Sequence, residues 1–348
     1  MITMSEKTKN KITTWVISVV IGALIGRFYT EATEVSRGVA AVATYPGIRA
    51  GVLVSGLTAG LEIFLIAGPL GYWLFRRPFY QALLLRLLAH WVVITSALML
   101  NDEVTQGLLP GPDSGYGFEW FLTDTLIAFA VLAFALFFIQ MRTLIGGRTL
   151  INLITGRYYS PVIEERLFLL IDVVGSTKLA KQLGDEAFYS YLSDFFKDID
   201  PVIFENRGEV YSYIGDAVIV TWPLKKFRGS HRVLETILQC RQRMEKRTPR
   251  YIKRYGVKPE FRAVLHGGEV MVGEYGGYRR QITYLGDAIN TTSRLEGLCK
   301  DLESEALLSE AAAEMVTVPS SVQLRDQGFH QLKGLDHPIK VYDLAYVA

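Results

Sequence analysis

Cysteine is almost missing from this chain of 348 residues, which carries only Cys240 and Cys299. The two lack any paired spacing, which excludes a disulfide framework and a cysteine-rich zinc cluster and fits a reducing compartment. Net charge is nearly missing too, at +2, and no lysine-rich tail is present. That removes the electrostatic footprint of a nucleic-acid binder, and no nucleic-acid partner is expected. Charge of either sign is scarce in the first 150 residues, which hold 11 basic and 9 acidic side chains, whereas 151–348 hold 26 of each. Half of all residues are hydrophobic, so composition predicts a membrane part followed by a water-soluble part.

A bilayer core of about 30 Å requires roughly 20 apolar residues per helix. Four stretches approach that length, at about 12–29, 51–75, 79–100 and 120–141, and predict an α-helical transmembrane domain over 1–142. The first follows Lys7, Lys9 and Lys11 but precedes three more spans and shows no small-residue cleavage site, so it reads as a retained anchor. Lys7, Lys9, Lys11, Arg76, Arg77, Arg142 and Arg148 flank one side; the other has Arg27, Arg37, Arg49 and a loop, 101–119, whose charges are all acidic. This bias predicts a multi-pass protein of the inner (cytoplasmic) membrane with its N-terminus and soluble domain in the cytoplasm.

Glu62, Arg86, His90 and, nearer an end, Asp124 lie within the spans. An ionisable group in hydrocarbon costs at least ~2.5 kcal/mol, so these side chains are expected to face the bundle interior. They fit interhelical pairing, Glu62 with Arg86 or His90, or a membrane sensor pocket or His-ligated cofactor answering an unknown stimulus. The loops 30–50 and 107–117 would lie outside, and so few polar groups offer no transport path. Residues 143–165 contain Gly146, Gly147, Gly156 and Pro161 and read as a coupling linker, a plain tether or a lever.

From Arg166 the run LFLLID reads as a strand buried on both faces and ending at Asp172, followed by VVGST. Apolar residues at helical spacing over 177–199 then place Gly175, Ser176 and Thr177 at a helix N-terminus, where free N–H groups favour an anion or accept an ordinary cap. GEVYSYIGDAVIVTWP predicts a hairpin with Asp216 at its tip, where a second carboxylate could join Asp172 around divalent metal. FRAVLHGGEVMVGEY reads as another hairpin. ITYLGDAINTTSRLEGL reads as a strand passing into a helix on which Asn290 and Arg294 share a face, a pair suited to a charged phosphoryl transition state.

Together FLLIDVVGST, YIGDAVIVTW, FRAVLHGG, LGDAINTTSRLE and HQLKG, in this order over about 164–346, resemble the catalytic domain of class III nucleotidyl cyclases, in a bacterial membrane-anchored type with a four-span N-terminal domain. The resemblance implies a ferredoxin-like α/β domain over 166–348, working as a head-to-tail homodimer. It implies that Asp172 and Asp216, with the Val173 carbonyl, hold two divalent metal ions (Mg²⁺ or Mn²⁺). Phosphates would be received by Val174, Gly175, Ser176 and Thr177, and by Arg262 and Lys333. Asn290 and Arg294 of the opposite subunit would orient the ribose and stabilise the transition state. Base choice in the family rests on two positions, here Ser212, where adenylate cyclases carry Lys, and Thr283, which matches a bacterial adenylate pattern. The expected activity is conversion of ATP to 3′,5′-cyclic AMP and pyrophosphate. Ser212 keeps open a cyclase using GTP or a pyrimidine nucleotide, or a nucleotide-binding regulatory protein with little turnover.

Overall fold

A computed structural model describes residues 6–37, 44–66, 69–74, 77–108, 118–145, 147–278 and 280–346. Parts of the two expected outer loops (38–43 and 109–117), as well as Arg76 and Gly146, lie outside the described residues. The chain divides into two compact units, Met1–Ile145 and Gly146–Ala348.

The first unit consists of helices α1 (Glu6–Arg37), α2 (Thr44–Gly60), α3 (Pro69–Leu74), α4 (Phe79–Leu108) and α5 (Phe118–Ile145). Four segments are long and apolar enough to cross a membrane: Lys11–Ala32, Gly47–Ile66, Phe79–Val104 and Leu122–Ile139. The apolar stretch expected at 51–75 is helical from Thr44, passes into a π-helical turn at Leu61–Ile66, and resumes as the separate α3 beginning at Pro69, a residue with no N–H to continue the ladder. Helices α1 and α2 approach through glycine: a Cβ on Gly26 would collide with the Gly47 carbonyl, and one on Gly51 with the Gly22 carbonyl. Small residues at such a crossing let backbones pack without a hydrophobic drive from water. Trp15 Nε1 donates to the Gly56 carbonyl at 2.8 Å, Arg49 Nε to Asn101 Oδ1 at 2.8 Å and the Tyr29 hydroxyl to Asp124 Oδ1 at 2.7 Å.

The second unit opens with α6 (Gly147–Ile154), then β1 (Val162–Val173), α7 (Ser176–Leu183), α8 (Asp185–Glu205), β2 (Glu209–Ile214), β3 (Ala217–Pro223), α9 (Leu224–Phe227) and α10 (Arg232–Tyr255). It continues through β4 (Phe261–Tyr275), β5 (Gln281–Leu285), α11 (Asp287–Asp301), β6 (Ala306–Ser309), α12 (Glu310–Met315), β7 (Val322–His330) and β8 (Ile339–Tyr346). The sheet runs β2-β3-β1-β4-β6-β8-β7, with β5 paired to β4. Among the described strands β4 and β6 are the one parallel pair. Strand β1 is central, and its alternate side chains feed two cores. Leu167, Leu169 and Ile171 pack with α8 and α10, while Phe168 and Leu170 pack with Tyr284 and Leu295.

Three expectations are corrected. The helix expected over 177–199 is two helices, broken at Gly184, whose φ of 77° is a left-handed value. Strand β1 begins at Val162 rather than at 166, because Val162 to Arg166 pair with Val272 to Gly268. FRAVLHGGEVMVGEY is not a hairpin but the single strand β4. Its Gly267 and Gly268 lie opposite Leu167 and Arg166 in an unbroken ladder. Those glycines admit neighbours rather than a turn: a Cβ on Gly267 would strike Met315 Sδ, and one on Gly268 would come within 3.1 Å of Ala288 Cβ.

Candidate active site

Asp172 is held where β1 leaves the centre of the sheet, between Ala217 of β3 and Arg262 of β4. The β2–β3 turn folds over this end. Gly215 takes φ 62° at its first position, a value that favours glycine, and Asp216 follows at the tip. The backbone ties tip to strand, since the Val173 N–H donates to the Asp216 carbonyl at 3.3 Å. Burial, and then the carboxylates of Asp216 and Glu296, push the Asp172 carboxyl up to about 7 against the opposing pull of Lys300.

Glu296 and Lys300 were not singled out by the sequence. Four residues apart on α11, they turn the helix face toward Asp172: Lys300 Nζ lies 2.6 Å from Glu296 Oε1 and 3.8 Å from Asp172 Oδ2. The i, i+4 spacing in LEGLCK was the available signal, but nothing in it reveals which face meets the sheet.

After Val173 the chain turns through Val174 and Gly175 (φ 67°) into α7 at Ser176. The Val174 N–H is used by the Glu260 carbonyl at 3.0 Å. Gly175, Ser176 and Thr177 remain to offer main-chain donors, at a helix start with no side-chain cap. Arg262 stands across the β1–β4 ladder from Asp172 and is half-buried.

A second group forms around the other face of α11. Arg294 Nη1 donates to the Gly334 carbonyl at 3.0 Å, next to the exposed Lys333, and Asn290, one turn earlier, is exposed. At 3.6 residues per turn the Asn290/Arg294 pair and the Glu296/Lys300 pair project about 120° apart. Among the described residues no hydrogen bond or ion pair joins Arg294 to Asp172 or Asp216. The fold therefore brings together Asp172, Asp216 and Arg262, and separately Arg294 and the Lys333 turn.

Ser212 lies half-buried on β2, its hydroxyl reaching only the Tyr213 carbonyl at 3.4 Å. Thr283 on β5 has its hydroxyl oxygen buried without a hydrogen-bond partner. In the first unit, Glu62 stands in the π-helical turn between Arg86 and His90, 3.8 Å from each. Arg86 and His90 are 5% and 1% exposed, and His90 Nδ1 lies 2.8 Å from the Arg86 carbonyl.

The metal question is one of donor chemistry. Among the described residues no group of three or more His, Cys, Asp or Glu side chains forms a ready metal cage. Asp172 and Asp216 are instead like-charged and close enough to raise the Asp172 carboxyl, and such a pair fits a hard cation that keeps water or substrate oxygens in its remaining positions.

A groove of about 540 Å³, lined by Ile163, His266, Met271, Leu285 and Asp287 among others, lies away from the Asp172 cluster. Ile163, Met271 and Leu285 are exposed there. Burial holds the His266 imidazole down to about 4, and its Nδ1 lies 2.7 Å from Ser309 Oγ.

Residues 159–345 match the adenylate and guanylate cyclase catalytic domain. The chain is 33% identical over 246 residues to adenylate cyclase 2 of Rhizobium meliloti (strain 1021), covering 71% of this chain and 65% of the relative. It is 27% identical over 183 residues to an adenylate cyclase of Anabaena cylindrica, covering 51% and 36%. It thus spans less than two thirds of the length of these curated relatives. Among solved structures, a bacterial light-regulated adenylyl cyclase shares the fold at a TM-score of 0.54 and 18% identity, over 64% of this chain and 65% of that one.

Proposed function

The chain belongs to the adenylate and guanylate cyclase catalytic-domain family, and from that premise we propose that it is a membrane-anchored adenylate cyclase, making 3′,5′-cyclic AMP and pyrophosphate from ATP at a site shared by two copies. The observation that carries the reading is the joining of Asp172 and Asp216 at one end of the sheet while Arg294 and Asn290 project from another face of α11. A single chain then holds two half-sites, and a head-to-tail pair completes both. The exposed Ile163, Met271 and Leu285 give a second copy apolar surface to cover.

In this reading Asp172 and Asp216, with the Val173 carbonyl, hold two divalent ions. When bound, these supply positive charge that eases deprotonation of the ribose 3′-hydroxyl and offsets the polyphosphate. Gly175, Ser176 and Thr177 present N–H groups to the phosphates, and Arg262, together with Lys333 of the second copy, clamps the terminal ones. The 3′-oxygen forms a bond to the α-phosphorus, its proton passes to solvent, and the bond to the β-phosphate bridging oxygen breaks to release pyrophosphate. Asn290 of the second copy orients the ribose, and Arg294 meets the charge that spreads over the phosphoryl oxygens. The inner (cytoplasmic) membrane would hold the four spans, with both termini in the cytoplasm and catalysis regulated through the membrane unit by an unknown stimulus.

A second reading, altered base choice, rests on Ser212, whose short side chain reaches no further than its own strand. Thr283, whose hydroxyl oxygen is buried without a hydrogen-bond partner among the described residues, matches the bacterial adenylate pattern and keeps ATP the favoured substrate. Purified full-length protein offered ATP, GTP, CTP and UTP separately with Mn²⁺, with products identified by mass, is expected to yield cyclic AMP. Another cyclic nucleotide would move the assignment to altered base choice, and nucleotide binding without pyrophosphate release would make the domain a regulatory binder.

A further inference from the structure

Away from the Asp172 cluster, a buried ionic group surrounds Arg166. The residue is 1% exposed and all three nitrogens of its guanidinium donate. Nε donates to Thr221 Oγ1 at 3.0 Å, Nη1 to Glu164 Oε2 at 2.8 Å and Nη2 to Glu209 Oε2 at 2.8 Å, with the Tyr284 ring centroid 4.8 Å away. Glu164 Oε1 also accepts from the Tyr158 hydroxyl at 2.9 Å and from Arg157 Nη2 at 3.1 Å. Tyr158, in the segment between α6 and β1, is buried in the same core as Tyr284, and its carbonyl accepts from the Glu274 N–H at 2.9 Å. Tyr211 closes the group, with ring centroids 4.8 Å from Tyr284.

This arrangement links elements that the sheet leaves apart. Among the described strands β2 is an edge bonded to β3, and β5 is bonded to β4, so the sheet connects them through β3, β1 and β4 and no ladder joins them directly. The side chains around Arg166 bridge them directly. Two of them adjoin the proposed base-selecting positions in sequence: Tyr211 precedes Ser212, and Tyr284 follows Thr283. A buried ion cluster is a poor device for stability alone, since apolar residues of similar volume commonly serve as well. What it adds is directional: three donors of one planar fork fix three partners at once.

We propose that Arg166, with Tyr158 holding Glu164 in place, is a positioning residue for base recognition. It sets the spacing of β2 against β5, and makes that spacing depend on how the segment 155–161 docks. The inference rests on the nucleotide site proposed above, and it gives the segment entering the domain a direct mechanical route to that site.

The test compares the full-length chain with Tyr158→Phe, Glu209→Gln, Arg166→Lys and Arg166→Met. Three quantities are read: the Kd for N-methylanthraniloyl ATP and GTP with Mn²⁺, KM and kcat for ATP, and the melting temperature. Tyr158→Phe and Glu209→Gln are expected to raise the ATP Kd and KM by about three- to tenfold and to narrow the ATP/GTP ratio, with kcat and melting temperature little changed. Arg166→Lys should fall between the parent and Arg166→Met, because an ammonium cannot bridge three partners. An ATP Kd within about twofold of the parent in both Tyr158→Phe and Glu209→Gln overturns the inference, as does a Kd that moves only in step with lost thermal stability. A parent that binds nucleotide without turnover would sink the cyclase activity, and this inference would then stand or fall on Kd; a parent that binds no nucleotide would sink both.

Discussion

Asp172 is crowded by the carboxylates of Asp216 and Glu296. In the fold its carboxyl titrates at about 7, against 3.8 for an ordinary aspartate, so between these values the folded chain carries a proton that the unfolded chain has lost. Stability from this group is present at low pH and lost as pH rises from about 4 to about 7. With chelator present, the melting temperature of the parent should decline across that window relative to Asp172→Asn, which has nothing to ionise; parallel curves would remove the claim that Asp172 is crowded by other carboxylates. Lys300 tempers the same cluster from 3.8 Å. Replacing it by Gln removes a cation that competes with metal for the carboxylates, and at a pH where Asp172 is ionised the Mn²⁺ affinity followed by paramagnetic resonance should rise by about threefold; unchanged or weaker binding would show that its ammonium does not compete for the site. Asp172 and Asp216 were both legible in sequence because each closes a local pattern, one a buried apolar run and the other a Gly-Asp turn. Glu296 and Lys300 were not, because an amphipathic helix does not announce which of its polar faces will meet the sheet.

Among elements, β4 departs most from its sequence pattern. Paired glycines between apolar runs resemble a turn, and only the long pairing partner β1 reveals that Gly267 and Gly268 sit inside a strand. Their purpose is proximity, since Gly268 lies against Ala288 in the first turn of α11, the helix that carries Asn290 and Arg294. A methyl group at Gly268 would stand 3.1 Å from Ala288 Cβ, which asks the helix to retreat by a few tenths of an ångström. Gly268→Ala is therefore expected to lower kcat by about three- to tenfold, because catalytic groups tolerate little displacement, while shifting the melting temperature by only a few degrees. A large loss of stability with intact kcat in the remaining folded protein would mean that the sheet, not α11, yields. Gly184 teaches the same lesson in reverse: helical periodicity continues across it, but its backbone does not.

At the scale of the whole chain, the division into two units after Ile145 was foreshadowed by a change in charge and hydropathy near residue 150, because these are averages that no local packing can disguise. How many copies complete the site is a different kind of property, and it follows from geometry around one helix. Asp172 meets the Glu296/Lys300 face of α11 and Arg294 points to Gly334, and on the function proposed above each chain would offer metal ligands to one site and the transition-state arginine to another. This makes a quantitative prediction. Asp172→Ala and Arg294→Ala, each expressed alone, put a lesion in every site of every homodimer and should be nearly inactive. Co-expressed in equal amounts and pairing at random, half of the dimers carry one copy of each; in these, one site collects both lesions and the other collects none. Activity should then recover to about a quarter of the parent value. Recovery well below that, with mixed dimers demonstrated by differential tags, would mean that metal ligands and arginine act within one chain, and that α11 must rotate to bring Arg294 onto Asp172.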